Sequence, residues 1–124
     1  MTKLHLQKAF FGKNNCLKIT LNNNMECYFE FGTPKKETKD GWNWKPVKFS
    51  DIELGEIISV LEGEKEGINF FHDFKGDKTQ IWIKKTDKFF SIKVKELSKG
   101  LNNGEQIVLR EILKHIIVRM NIKI

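Results

Sequence analysis

The chain has 124 residues and is 40% hydrophobic, long enough for one domain with a core and too short for two of ordinary size. Its formal net charge is +6, and Arg110 and Arg119 are its only arginines. Lysine suits phosphate contacts rather than bidentate reading of guanine. Its 2 cysteines make neither a disulfide framework nor a four-ligand zinc site. With no signal peptide and no bilayer-spanning stretch, we expect a single cytoplasmic domain over residues 1–124, without a membrane partner.

Four β-type runs precede the first predicted helix. They cover residues 4–11, a weakly alternating edge strand or arm, then 16–21, 25–31 and 46–49. Alternation places Leu17, Ile19, Phe29 and Phe31 toward a core, and Lys18 and Tyr28 away from it. Polar residues 32–41 predict an exposed loop that ends at Trp42 and Trp44. Either these tryptophans pack on the domain as a lid, which we favour for Trp44, or one is exposed for base stacking.

Helical signals follow at residue 50. Ser50 and Glu53 have the spacing of a capping box, apolar residues then recur at helical spacing, and Gly63 suits the position after the helix. These signals predict a helix over residues 51–62. Its glutamates are typical of a solvated helix face.

Three further strands are predicted at 68–73, 79–83 and 88–95, with a turn at Gly76–Asp77. One parity is apolar, and the other mixes aromatic side chains with lysine. His72 and Asp73 form the one pair that resembles acid/base chemistry, but no third ligand or partner is near in sequence. We therefore interpret His72 as a strand-end residue and expect neither catalysis, nor a metal, nor a cofactor.

Residues 97–104 predict a connection with at most a short strand, and residues 105–121 predict a second helix. The apolar face of this helix is wider than the usual stripe of about 100°. Such a helix commonly packs on a sheet with one side and on another subunit with the other. We therefore predict a homo-oligomer, a dimer or a tetramer, with an interface that includes Ile112, Leu113, Ile116, Ile117 and Met120.

Charge is segregated along the chain. Residues 51–73 hold seven acidic residues and one lysine, whereas residues 74–95 hold seven lysines and two acidic residues. A lysine-rich face that also carries aromatic side chains is what unpaired nucleic acid requires, because lysines neutralise phosphates and rings stack on free bases. The candidate binding residues are Lys18, Tyr28, Trp42, Lys48, Phe71, Trp82, Lys84, Lys85, Phe89, Lys93 and Lys95. The alternative is that these aromatics pack under a second layer or at a subunit contact.

Three segments resemble the Whirly family of single-stranded DNA-binding proteins. They are VKFSDIELGEIISVL at 47–61, NFFHD at 69–73 and FFSIKV at 89–94. Their order and spacing agree with the family pattern of V-F-S-L, E-[IL]-G-x-[IL]-I-S, E-F-F-H-D and F-F-N-L-S-V. Lys13 falls where the family carries a segment tied to DNA binding, so the resemblance adds Lys13 to the candidate residues. We expect a prokaryotic or viral relative, because a transit peptide and the Whirly-type tail are not found.

The resemblance implies an α+β fold with two antiparallel β-meanders, each followed by a helix, in the order ββββα twice. It also implies a non-enzymatic protein that binds single-stranded DNA with little sequence preference. Positive cofactor four and kinetoplast guide-RNA-binding proteins have related folds. An RNA-binding annealing or regulatory protein therefore stays an alternative, as does an interaction subunit that does not bind nucleic acid.

Overall fold

The computed structural model describes residues 3–35 and 41–122, which form two four-stranded antiparallel sheets and two helices. The strands run in sequence order within each sheet, and each sheet is followed by a helix. The predicted α+β class and ββββα order are thereby confirmed. The elements are β1 (Leu4–Phe11), β2 (Cys16–Asn22), β3 (Cys27–Pro34), β4 (Trp42–Phe49), α1 (Asp51–Leu61), β5 (Gly67–Phe74), β6 (Asp77–Lys85), β7 (Phe90–Val94), β8 (Leu97–Leu101) and α2 (Asn103–Asn121).

The strand after the polar loop is longer than predicted. β4 begins at Trp42 rather than near Pro46, and β3 continues to Pro34, which pairs with Trp42. The prediction that both tryptophans lie at a loop exit is therefore wrong. Tryptophan fits a pleated, half-buried surface. The alternation that buries Val47 therefore continues back to Trp42, and both tryptophans lie on the opposite side of the strand from Val47. Residues 36–40 of the predicted loop lie outside the described residues.

The turns of the second sheet differ by one residue from the prediction. Lys75 and Gly76 both have positive φ, 51° and 85°, and form the turn between β5 and β6. Positive φ at both central residues is the signature of a hairpin turn whose twist matches the strands. Lys95 has a φ of 53° and lies in the next turn, so β7 ends at Val94. The connection predicted after Lys95 contains β8.

Both helices have well-defined ends. After α1, the Gly63 amide donates to the Val60 carbonyl and the Glu64 amide donates to the Ser59 carbonyl, which is a Schellman motif with Gly63 at a φ of 81°. The predicted role of Gly63 is therefore confirmed. α2 starts two residues before the predicted position, at Asn103. Its N-terminus has a reciprocal capping box, because the Asn102 side chain accepts from the Glu105 amide at 2.9 Å and the Glu105 side chain accepts from the Asn102 amide at 3.0 Å.

The chain divides into two compact units. The first comprises the described part of residues 1–51 and 115–124, and the second comprises residues 52–114. In the first, Phe29 and Phe49 are buried and meet edge to face with ring centroids 4.7 Å apart. In the second, the buried residues include Leu54, Ile81, Ile83, Phe90, Ile92 and Leu101. The expectation of a single domain stays a prediction.

The last helix changes the predicted oligomer interface. Leu113 and Ile116 are completely buried within the chain, so they are not available to a second copy, and that part of the prediction is wrong. Ile112, Ile117 and Met120 are half-buried, and oligomerisation itself stays a prediction. Across residues 3–35 and 41–122, no helix has the length and apolarity that crossing a membrane requires.

Candidate nucleic-acid interface

The second sheet turns one face of alternate residues outward, which we call the β5–β8 face: Asn69, Phe71, Trp82, Lys84, Ser91, Lys93 and Ser98. The strand register brings Asn69, Trp82, Lys93 and Ser98 side by side in one row across all four strands. The opposite parity of β6 and β7 is buried, including Ile81, Ile83 and Ile92. The predicted division of these strands into an apolar side and an aromatic–lysine side is therefore confirmed.

Trp82 lies on β6, one of the two central strands of this sheet. Its side chain stays 39% exposed, and Lys93 Nζ lies 5.8 Å from the ring centroid, within the range of a cation–π contact. An open groove of about 500 Å³ adjoins the ring and is lined in part by Asn69 and Lys84. Phe71, two residues along β5 from Asn69, is 61% exposed. The face thus combines an exposed indole, an exposed phenyl ring and cationic side chains.

The lysines near this face have different surroundings. Lys84 is exposed and makes no ion pair with any described residue. Lys95 Nζ lies 3.8 Å from the carboxylate of Asp77, the first residue of β6. Lys85 points to the other side, where its Nζ donates to the Leu61 carbonyl at the end of α1, at 2.6 Å. Lys85 therefore has a structural role as a helix-end donor, whereas Lys84 leaves its charge available.

Lys84 and Lys85 give a matched pair of variants, since methionine removes the charge and keeps the aliphatic stem. Lys85→Met is expected to lower the free energy of unfolding by about 1–2 kcal/mol, because a charged donor to a helix carbonyl is lost. It should leave nucleic-acid affinity unchanged. Lys84→Met should instead lower nucleic-acid affinity and leave the free energy of unfolding unchanged. Urea unfolding and oligonucleotide titration of both variants check this, and a loss of affinity in Lys85→Met alone would contradict it.

Two exposed phenylalanines lie at the ends of strands in the second sheet rather than within its face. Phe89, 57% exposed, precedes β7 in a turn closed by the hydrogen bond from the Thr86 amide to the Phe89 carbonyl. Phe74 is 71% exposed beside Lys75, and sequence reasoning missed it. The sequence does indicate that Phe74 is exposed, because it directly precedes the Lys75–Gly76 turn.

The outer face of the first sheet places Tyr28 next to Lys48, in the same cross-strand relation as Trp82 and Lys93. Lys48 Nζ, however, lies 2.8 Å from the Glu26 carboxylate. The Glu26 hydrogen bond raises the pKa of Lys48, and the bonds from Lys48 and Asn22 lower the pKa of Glu26. Both groups stay charged at neutral pH, and the charge of Lys48 is partly neutralised.

Lys18 is also engaged within the first sheet. Its Nζ lies 4.1 Å from the Trp44 ring centroid and 3.8 Å from the Glu30 carboxylate. Trp44 in turn covers Gly32, where an added Cβ would lie 2.7 Å from the indole. Trp44 stays 36% exposed, so its role as a lid stays a prediction. Lys18 is less available than the lysines of the β5–β8 face.

An aromatic cluster completes this end of the first sheet. The centroids of Phe11 and Trp42 are 6.2 Å apart, and those of Trp42 and Trp44 are 6.0 Å apart. Cys16 shares their parity and is buried. Phe11 remains 67% exposed and was missed by sequence reasoning, although the Phe10–Phe11 pair in a strand requires one ring to face outward. Lys13 is exposed in the β1–β2 turn beyond the cluster.

The remaining sequence motif, His72–Asp73, has structural partners. The His72 Nε2–H donates to the Glu53 carboxylate of α1 at 2.6 Å, and Asp73 accepts from the Gly76 amide at 3.1 Å. Within the described residues, no three His, Cys, Asp or Glu side chains are grouped to hold a metal. Both cysteines are buried thiols outside any disulfide, and burial raises the pKa of Cys27 to about 12.

Comparison with known proteins supports the fold and identifies neither a family nor a function. A solved structure of Trypanosoma bruciei MRP1/MRP2 superposes with a TM-score of 0.60 over 96% of this chain and 86% of that chain, at 11% sequence identity. At that identity the likeness supports a shared fold alone. A scan against protein-family models and a search of curated proteins gave no match.

Proposed function

We propose that the protein is a non-enzymatic, sequence-tolerant single-stranded DNA-binding protein that uses the β5–β8 face. The observation that carries the proposal is the row of Asn69, Trp82, Lys93 and Ser98, where an exposed indole stands beside a lysine on an open sheet surface. The resemblance of three segments to the Whirly family supports the same function.

Stacking explains why a single strand is the preferred ligand. Unpaired bases have free faces, and stacking on an aromatic side chain contributes about 1–3 kcal/mol per base without selecting a sequence. Trp82 and Phe71 offer such rings, both exposed, on one face. A duplex buries its base faces within its own stack and cannot use these rings. Affinity for single strands should therefore exceed affinity for duplex.

Charge supplies the second contribution. Lys84 and Lys93 are exposed on the face, and Lys95 lies at its end. Each phosphate that a lysine neutralises releases counterions, so log K falls linearly with log salt with a slope of about −0.7 per phosphate for a single strand. Three lysines predict a slope of about −2. A tenfold increase in salt should then weaken binding about a hundredfold.

Fluorescence polarisation with labelled oligo-dT, oligo-U and a duplex, at several salt concentrations, tests the proposal. We expect tight oligo-dT binding at low salt, the slope just given, and weaker duplex binding. Equal affinity for duplex would remove the stacking argument. Preference for oligo-U would make the protein an RNA binder, and no binding to any of the three at low salt would favour an interaction subunit.

A further inference from the structure

A cavity of about 260 Å³ opens on the outer face of the first sheet. It is lined by Leu4, Thr20, Asn22, Tyr28, Glu30 and Pro46. Sites for drug-sized ligands measure about 300–1,000 Å³, so this volume suits a single flat ring system. We call it the β1–β4 cavity.

The carboxylate of Glu30 has unused hydrogen-bonding capacity in this cavity. Its side chain is 24% exposed, and its ion pair with Lys18 spans 3.8 Å, beyond hydrogen-bond distance. No described residue donates a hydrogen bond to it. Trp44 holds Lys18 at 4.1 Å, so the balancing charge stays in place. An ionised carboxylate accepts hydrogen bonds at both oxygens and donates none. A ligand that bonds to Glu30 must therefore present N–H or O–H donors.

The other lining residues differ in whether their polar groups already have hydrogen-bond partners. The Asn22 side chain is already engaged, because its oxygen accepts from the Asn24 and Glu26 amides and its nitrogen donates to Glu26. Thr20 is 2% exposed and lies beside Tyr28 in the register, so the cavity is lined by two hydroxyl-bearing side chains as well as the carboxylate. Leu4 and Pro46 supply apolar surface for the faces of a ring.

Among nucleobases, guanine fits this set of groups best. Its N1–H and exocyclic amino group are adjacent donors that match the two oxygens of a carboxylate, and its O6 accepts from a hydroxyl. Thymine and uracil have one imino donor between two carbonyl oxygens, which a carboxylate repels. In adenine and cytosine, a ring nitrogen acceptor stands next to the amino group. A phosphate is excluded by the negative charge of Glu30.

We infer that the β1–β4 cavity binds one unpaired guanine, with Glu30 as the residue that determines the base. The inference rests on the proposed binding of single strands and adds a base preference to it. A strand that places a guanine in the cavity gains a contact that the other bases do not make.

The test uses the full chain and labelled oligothymidylates of one length with dT, dG or deoxyinosine at one central position. A good bidentate base contact is expected to make the dG strand bind about tenfold more tightly than the dT strand. Deoxyinosine lacks the exocyclic amino group and should lose most of that gain. Glu30→Gln should abolish the dG preference while oligo-dT affinity stays equal or increases, because no carboxylate then offsets the charge of Lys18.

Glu26→Gln is the matched control. Glu26 precedes β3 and does not line the cavity, and a glutamine there can still accept the hydrogen bond from Asn22, so this variant should keep the tenfold dG preference. If wild-type protein binds the dG and dT strands equally, the guanine inference is overturned while single-strand binding stands. If Glu26→Gln and Glu30→Gln lose the preference alike, the cavity is not its source. If no strand binds at low salt, the proposed function and the inference fail together.

Discussion

Replacing Trp82 and Lys93 together with alanine is expected to weaken oligo-dT binding by at least about tenfold. Removal of the indole takes away a stacking surface worth about 1–3 kcal/mol, or about 5- to 150-fold in affinity, and removal of the ammonium takes away a phosphate contact. Both side chains point outward from a buried layer that includes Ile81 and Ile92. The far-ultraviolet circular dichroism should therefore be unchanged.

The chain offers a closely matched control in Phe74 and Lys75. Lys75 Nζ lies 5.4 Å from the Phe74 ring, much as Lys93 Nζ lies 5.8 Å from Trp82, but the pair is at the β5–β6 turn and outside the β5–β8 face. The double alanine variant of this pair removes the same net charge and one exposed ring. It should bind nearly as the wild type. Equal loss in both double variants would mean that charge alone, without a defined site, accounts for binding.

Phe29→Ala is expected to lower the free energy of unfolding by about 3–5 kcal/mol. The side chain is fully buried in the first sheet and packs against Phe49, so truncation leaves a cavity and removes an aromatic contact. Most small domains have only about 5–15 kcal/mol in total, so this one change should remove a large fraction of the stability. Urea unfolding followed by circular dichroism measures it.

Phe11→Ala is the comparison for that variant, since Phe11 belongs to the same sheet but is 67% exposed. We expect a loss of about 1 kcal/mol or less, from the Trp42 contact. Similar losses for the two phenylalanines would contradict the assignment of inward and outward parity in the first sheet.

Local alternation was enough to predict most strands and both outward parities. Phe90, Ile92 and Val94 recur every second residue, and this pattern requires one buried and one exposed side whatever the partner strand is. The same holds for Cys27, Phe29 and Phe31. The prediction was least definite where the pattern weakens, as at β8, which was expected as at most a short strand and where Lys99 is buried and Gly100 faces outward.

The details of the candidate sites depend on register between strands, which local patterns do not determine. Lys84 and Lys85 are adjacent in sequence, and only the position of the α1 end separates a free lysine from a helix-end donor. The β1–β4 cavity likewise joins side chains from four strands, of which Glu30 and Thr20 showed no individual signal. Sequence reasoning therefore found the aromatic–lysine face and missed the acidic cavity.

The indole signals of the three tryptophans provide the most direct test of the β5–β8 face. In a ¹⁵N-labelled sample titrated with oligo-dT, the Trp82 indole resonance and the Asn69 and Lys93 amides should shift together and saturably. A duplex of matched length should shift them far less. Shifts confined to Trp42 and Trp44, with Trp82 unmoved at saturating oligo-dT, would contradict the proposed interface.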